Sequence, residues 1–265
     1  MTSPSRRFAE LSMAQVRERC SADSVAVLPV GAVEQHGPHL PLITDALVAE
    51  AASAAAVDSY GEALDLWLLP TLGYGRSVEH EWSPGTLSLS TGTFAAVLAD
   101  LGRSVATAGI RRLVLVNGHG GNSSEIQTML RDLRRAHGLL TFAVNAFPPP
   151  EEDPFAGIEQ GQGIHGGAGE TSLMLHLRPD LVDMGVATPR LPRGLNKNTQ
   201  VRFGGSVSFG WLSDDFGPDG FLGDPTQATA GAGRRAFDAM TAQLGEQLDE
   251  IARFDFTHHL AGPAF

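Results

Sequence analysis

Residues 24–30, Ser-Val-Ala-Val-Leu-Pro-Val, form an apolar run with no polar alternation. A strand with one face in water alternates, so an unbroken apolar run of this length fits a strand covered on both faces. That favours a parallel sheet lying between helices, and the residues that follow keep the matching rhythm. Residues 44–60 are alanine-rich and helix-forming, with Thr44 as N-cap. Residues 66–70 read as a second strand, and 91–108 as a helix opened by Ser90 and Thr91 and closed near Gly109. Strand, helix and strand follow at 113–116, 123–137 and 139–146, and a last helix covers about 226–254. The repeated strand–helix–strand pattern predicts an α/β fold with a parallel sheet flanked by helices. No internal repeat and no dividing linker is visible, so one domain over 1–265 is expected.

Two stretches break the rhythm. Residues 147–163 and 193–225 are rich in Gly, Pro and polar groups, and loops of this length in a compact domain are usually lids or binding loops.

The net charge of −11 argues against a nucleic-acid or anionic-membrane partner, because phosphate contacts need Lys and Arg. Cys20 is the only cysteine, which rules out an intrachain disulfide and a multi-thiolate zinc site. A metal would have to be held by His, Asp and Glu. The first residues lack the apolar core of a signal peptide and no stretch approaches a membrane span, so a cytoplasmic location is expected.

In open α/β sheets, ligands bind beyond the carboxyl ends of the strands. The first strand runs into Glu34 and His36, the second toward Glu79, His80 and Trp82, and the third into Asn117, Gly118 and His119. Each cluster alone reads as a solvated loop or turn, and Asp45 alone as a charge at a helix N-terminus. Their joint arrival at one sheet edge points to a site. Imidazoles and carboxylates bind zinc, manganese or iron, and a carboxylate-rich set can hold two ions through one bridging acid. Glu34 and His36, two apart on an extended segment, face the same side, and Pro38 and Pro41 stiffen the return to Asp45. Further on, His165 sits in a glycine-rich loop and Glu170 opens an apolar helix. Glu170 alone would be explained by the helix dipole, but the glycines beside it permit close backbone approach to a ligand. A nucleotide-binding reading of "GHGGNS" fails, because Ser123 stands where the third glycine of G-x-G-x-x-G belongs.

The segments "GAVEQHGPHLPLITD", "EHEWSPGTLSL", "LVLVNGHGGN", "HGGAGETS" and "GDPTQATAGAG", spread over residues 31 to about 233, resemble the creatininase (creatinine amidohydrolase) family. The resemblance implies a three-layer α/β/α fold with a mostly parallel sheet, a homo-oligomer, often a hexamer, and two divalent ions per chain. Zinc is the first expectation for those ions, with manganese or iron as alternatives. It further implies that the first ion is held by Glu34, Asp45 and His119, and the second by His36, the bridging Asp45 and another carboxylate. His165 resembles the family's catalytic histidine.

The chain departs from creatininase at Gly120 and Gly121, where creatininase carries an aromatic residue and a glutamate ligand, and Glu170 is the expected substitute. Ile164 stands where creatininase has an acid, so creatinine is not the expected substrate. The resemblance implies hydrolysis of a C–N bond in a small cyclic amide or formamide by a metal-bound hydroxide. A peptidase of the mycofactocin-precursor type is the alternative within the family, and a catalytically inactive metal- or ligand-binding protein the alternative outside it. In the hydrolase reading, backbone amides of Gly120 and Gly121 help hold the oxyanion and His165 protonates the leaving nitrogen. His80 either orients substrate or bonds the "SPGT" turn. Trp82, Phe209 and Trp211 wall the pocket or belong to the core. His39, His137, His176, His258 and His259 are read as structural.

Overall fold

Four strands, β1 (Val25–Val30), β2 (Leu66–Leu68), β3 (Arg112–Asn117) and β4 (Leu140–Asn145), pair side by side in the order β2-β1-β3-β4. Every neighbouring pair is parallel, so the sheet is wholly parallel. The computed structural model describes residues 5–147, 157, 159, 161–192 and 194–256. Most of the expected loop at 147–163, and His258 and His259, lie outside the described residues.

The unbroken apolar runs have a simple cause: both sheet faces are covered. Val25 and Val27 of β1, with Val114 and Val116 of β3, pack against α2 (Thr44–Tyr60) and α6 (Ala230–Arg253) through Ala49, Ala56, Leu244 and Leu248. Ala26, Leu28 and Val30, with Leu113 and Leu115, face α3 (Thr91–Thr107) and α4 (Ser123–His137) through Phe94, Leu98, Ile126 and Leu133. The result is three layers, helix on sheet on helix. Truncating a side chain such as Leu28 to alanine would cost about 2–5 kcal/mol. A short α1 (Met13–Arg19), capped by Ser12, precedes the sheet.

A further helix, α5 (Ala168–Leu177), lies against α2 and α6 through Leu173 and Met174, which meet Val48, Ala52 and Met240. A Cβ at Gly233 of α6 would come within 1.8 Å of Ser172 O; only glycine lets the two helices sit this close. That packing brings the start of α5, with Glu170, toward the start of α2, with Asp45.

The strands differ from expectation by a residue or two at their ends, and two helix starts differ in kind. Thr44 is not the N-cap of α2: Ile43 holds that position, and the Thr44 hydroxyl instead donates to Pro41 O at 2.7 Å. The turn through Pro41 puts that carbonyl within the hydroxyl's reach. The last helix begins at Ala230, not near 226, because Pro225–Gln227 winds into a separate 3-10 turn and Thr229 supplies the cap. No helix among the described residues is long and apolar enough to cross a membrane.

Candidate metal centre

The chain leaves β1 through α2 to reach β2, then returns through α3 on the opposite face, past β1, to β3. This reversal opens a crevice at the carboxyl ends of β1 and β3. Glu34 and His36 follow β1, His119 follows β3, and Asp45 is the second residue of α2. The backbones converge tightly there. A Cβ at Gly31 would lie 2.3 Å from Ala46 Cα, and one at Gly118 would lie 2.7 Å from Asp45 O. Because glycine permits both approaches, the Asp45 carboxylate lands between the two strand ends.

Its oxygens face opposite ways. Asp45 Oδ1 is 3.0 Å from His36 Nε2, and Oδ2 is 3.0 Å from His119 Nδ1. Glu34 Oε2 is 3.2 Å from His119 Nε2, and Glu170 Oε2 is 4.0 Å from His36 Nε2. Three overlapping groups result: Glu34, Asp45 and His119; His36, Asp45 and Glu170; and Glu34, His36 and His165. In each, one donor atom per residue lies within 4.8 Å of the others. Both Glu34 oxygens are buried without a hydrogen-bond partner, and Asp45 Oδ2, also buried, meets only the His119 ring. Burying unsatisfied carboxylates costs several kcal/mol, a cost that bound cations would offset. An all-nitrogen and carboxylate-oxygen donor set suits zinc, manganese or iron, so the residues present fit divalent metal.

The imidazoles are oriented from behind. His36 Nδ1 meets Glu34 O at 3.1 Å, which turns Nε2 to Asp45. His119 Nδ1 faces Asp45 Oδ2 at 3.0 Å, while Nε2 lies 2.9 Å from Arg76 O and 3.2 Å from Glu34 Oε2. The contact on the remote nitrogen of His36 is how metal-binding histidines are usually aimed. The two asparagines of "NGHGGN" brace the loop. Asn117 Nδ2 donates to His119 O at 2.8 Å, and Asn122 Nδ2 donates to Gly31 O at 3.0 Å while its Oδ1 accepts from Arg76 N.

Electrostatics show how strongly the cluster seeks positive charge. Burial, then Asp45, pushes the Glu34 carboxyl up to about 8. Burial lifts Glu170 to about 7, with Asp45 adding to it against the pull of His36. Burial disfavours the imidazolium forms of His36 and His119, yet the surrounding carboxylates outweigh it and raise them to about 10 and about 9. Burial also opposes the charge on Asp45, but His36 and His119 hold it far below the usual carboxylate range. Protons thus gather where ions would sit, and ion binding would release them.

His165 lies between His36 and His80, with ring centroids 4.3 and 4.1 Å away. Its Nε2–H donates to Gln35 O at 2.6 Å, and Nδ1 turns toward Glu34 Oε1 at 3.6 Å. Burial, then the charges on His36 and His80, lowers it well below its ordinary value. The Gln35 amide nitrogen donates to His80 Nδ1 at 2.8 Å and to Gly220 O at 2.5 Å. Ser213 Oγ lies 2.9 Å from the same His80 nitrogen and accepts from Trp82 Nε1 at 2.7 Å. The His80 ring is therefore held by Gln35 with Ser213 beside it, its backbone carbonyl accepts from Ser83 N of the "SPGT" turn at 3.0 Å, and burial, then His36 and His119, lowers the imidazole to about 3. Sequence reasoning assigned no role to Gln35 or Ser213. No local signal marks them, because their partners lie far along the chain.

The cluster forms the floor of a cavity of about 1140 Å³, beside which Gly120 and Gly121 lie and over which Phe203, Phe209 and Trp211 form an aromatic wall. Part of the 193–225 loop thus faces the site, as its length suggested. Trp82 does not line the cavity. His39 is a buried brace whose Nε2 meets Gly166 O and Thr171 Oγ1 at 3.0 and 3.1 Å. His137 ends α4, and His176 packs on Phe237; neither lines the cavity.

Fold and cluster together define an α/β protein built to hold divalent metal at the carboxyl edge of its sheet. The chain belongs to the creatininase family: the family model, described as creatinine amidohydrolase, matches residues 9–248. It is a hydrolase acting on carbon–nitrogen bonds of amides. The mycofactocin precursor peptide peptidase of Mycolicibacterium smegmatis is 36% identical over 88% of this chain and 87% of its own length. The creatinine amidohydrolase of Pseudomonas putida is 38% identical over 66% of this chain and 73% of its own. A solved structure titled "Creatininase Mn" superposes with a TM-score of 0.76 at 28% identity, covering 95% of this chain and all of that one.

Proposed function

We propose that the chain hydrolyses an amide bond within a peptide, using two divalent ions that share Asp45. Glu34 and His119 complete the set for one ion, and His36 and Glu170 for the other. The observation that carries the peptide reading is the cavity. Its volume of about 1140 Å³ exceeds the ~300–1,000 Å³ of ordinary small-molecule sites. The similarity to a precursor-peptide peptidase along nearly the whole chain supports it. The same volume moves a peptide ahead of a small cyclic amide or formamide.

Bound divalent ions supply a nucleophile from water at neutral pH and polarise the carbonyl. The chain's own groups do the rest. Asp45 fixes the spacing of the two ion positions. Gly120 and Gly121, without side chains, leave room for a carbonyl oxygen to approach the backbone amides beside His119. His165, neutral with its one proton on Nε2 donated to Gln35 O, would accept a proton at Nδ1 from the attacking water and pass it to the leaving nitrogen. His80, locked by Gln35 and Ser213, sets the stacking distance of His165. The aromatic wall excludes water from the cavity.

The test is incubation of the ion-loaded protein with a peptide mixture, with cleavage read by mass spectrometry, beside cyclic amides and formamides. Cleavage of peptides that stops on chelation and returns with zinc or manganese is expected. Turnover confined to cyclic amides or formamides would overturn the peptide reading. No bound metal, even after reconstitution, would overturn the mechanism.

A further inference from the structure

Glu79 stands in the short turn Val78–His80 that follows β2 and lines the cavity, with its side chain 12% exposed. Its Oε1 lies 3.6 Å from His119 Nε2, and among the described residues no hydrogen bond reaches the carboxylate. Other carboxylates near the site are held: Glu125 pairs with Arg76, Glu159 accepts two backbone amides, and Glu170 accepts from Gly166 N. Glu79, like Glu34 within the cluster, is a carboxylate with no hydrogen bond fixing its end among the described residues.

Gly121 explains how it fits there. A Cβ at Gly121 would come within 2.4 Å of Glu79 Oε1, of His119 Nε2 and of Arg76 O. The Glu79 carboxylate therefore occupies the space from which any side chain at 121 would begin. Its backbone is anchored, since Ser213 Oγ donates to Glu79 O at 3.0 Å and the next residue, His80, is locked by Gln35. The carboxylate thus stands beside His119 of the Glu34–Asp45–His119 group, on a side chain that no hydrogen bond restrains among the described residues.

Charge points the same way. With neutral imidazoles, Glu34, Asp45 and Glu170 fall one negative charge short of two divalent ions, and an uncompensated buried charge is costly. Glu79 supplies the missing charge on the side of His119. Glu170, by contrast, faces His36 and Asp45, so it completes the other ion's set, the place expected for it from the sequence. Resting on the two-ion reading above, we propose that Glu79 is a further ligand to the ion held by Glu34, Asp45 and His119.

The experiment strips the full chain with chelator and titrates it with Mn²⁺ by calorimetry, with bound metal counted by elemental analysis. The parent, Glu79→Gln and Glu79→Asp are compared with Glu81→Gln, a change at an exposed neighbour in the same turn. The parent and Glu81→Gln should bind two ions. Glu79→Gln should keep one ion at parental affinity and bind the other at least about tenfold more weakly, with Glu79→Asp in between and unchanged melting of the ion-free proteins. Two ions at parental affinity in Glu79→Gln would overturn the assignment of Glu79 alone. Loss of both ions from Glu79→Gln would overturn its restriction to the His119 side. No binding by the parent would sink the two-ion reading itself, and the assignment with it.

Discussion

The two halves of the metal centre are built differently. Glu34, His36, Asp45 and His119 come from strand ends and a helix start whose backbones press together at Gly31 and Gly118. Glu170 and His165 come from a loop and α5, and a buried polar scaffold holds that segment. Glu159 Oε1 accepts from Ala168 N at 2.9 Å and Asp224 N at 2.6 Å, while Cβ atoms at Gly163, Gly167 or Gly223 would collide with its carboxylate. His39 holds Gly166 from the other side, and His165 bridges to Leu222. One half is placed by steric fit of main chain and the other by hydrogen bonds to a buried charge. The first should tolerate loss of a polar group, and the second should not.

The largest effect should come from breaking the residue both halves share. Asp45→Ala is expected to lose both ions and to lower amide hydrolysis by at least about a thousandfold, since metal activation contributes several kcal/mol; elemental analysis and a hydrolysis assay check it. His165→Ala should lower kcat by about 100- to 10,000-fold, the usual reach of a general acid, while keeping two ions. Loss of an ion from that variant would instead make His165 a ligand, the role its grouping with Glu34 and His36 allows.

Glu159→Ala sharpens the comparison, because it strands a buried N–H at Ala168, at about 1–3 kcal/mol, and a half-buried one at Asp224 without touching the strand ends. Urea unfolding should report that loss. Metal titration should show the His36–Asp45–Glu170 ion weakened and the Glu34–Asp45–His119 ion retained. The smallest effect separates the halves by pH. His36 and His119, raised to about 10 and about 9, keep their protons at neutral pH, and the Glu34 and Glu170 carboxyls, raised to about 8 and about 7, add theirs below those values, so each ion must displace at least one. Affinity should therefore rise with pH, by at least about tenfold per unit for each ion between about pH 6 and pH 8, in competition against a chelator.

This contrast also separates what the residues announced from what they hid. Unbroken apolar runs marked the strands, and the spans of α2 and α4 were legible from their helix-forming composition and the glycines, Gly61 and Gly138, that end them. The convergence of Glu34, His36, Asp45 and His119 was legible because a parallel sheet delivers strand ends to one edge. Gln35 stood in the quoted motif yet gave no hint of its amide, since its partners His80 and His165 lie 45 and 130 residues away. Glu159 was hidden for the same reason, as one of its amides belongs to Asp224. Thr44 misled because a good N-cap residue also donates to a nearby carbonyl, and Pro41 O was closer.

With one cysteine, the chain can form no covalent tie between its distant segments. The Asp45 cluster offers a reversible one. Ions bound there would fasten the region after β1 to the loop after β3 and to α5, closing long stretches of chain as a crosslink does and restricting the unfolded ensemble's return. Depleting metal would then loosen the protein as a whole, so that its lifetime against proteases would follow the supply of ions around it.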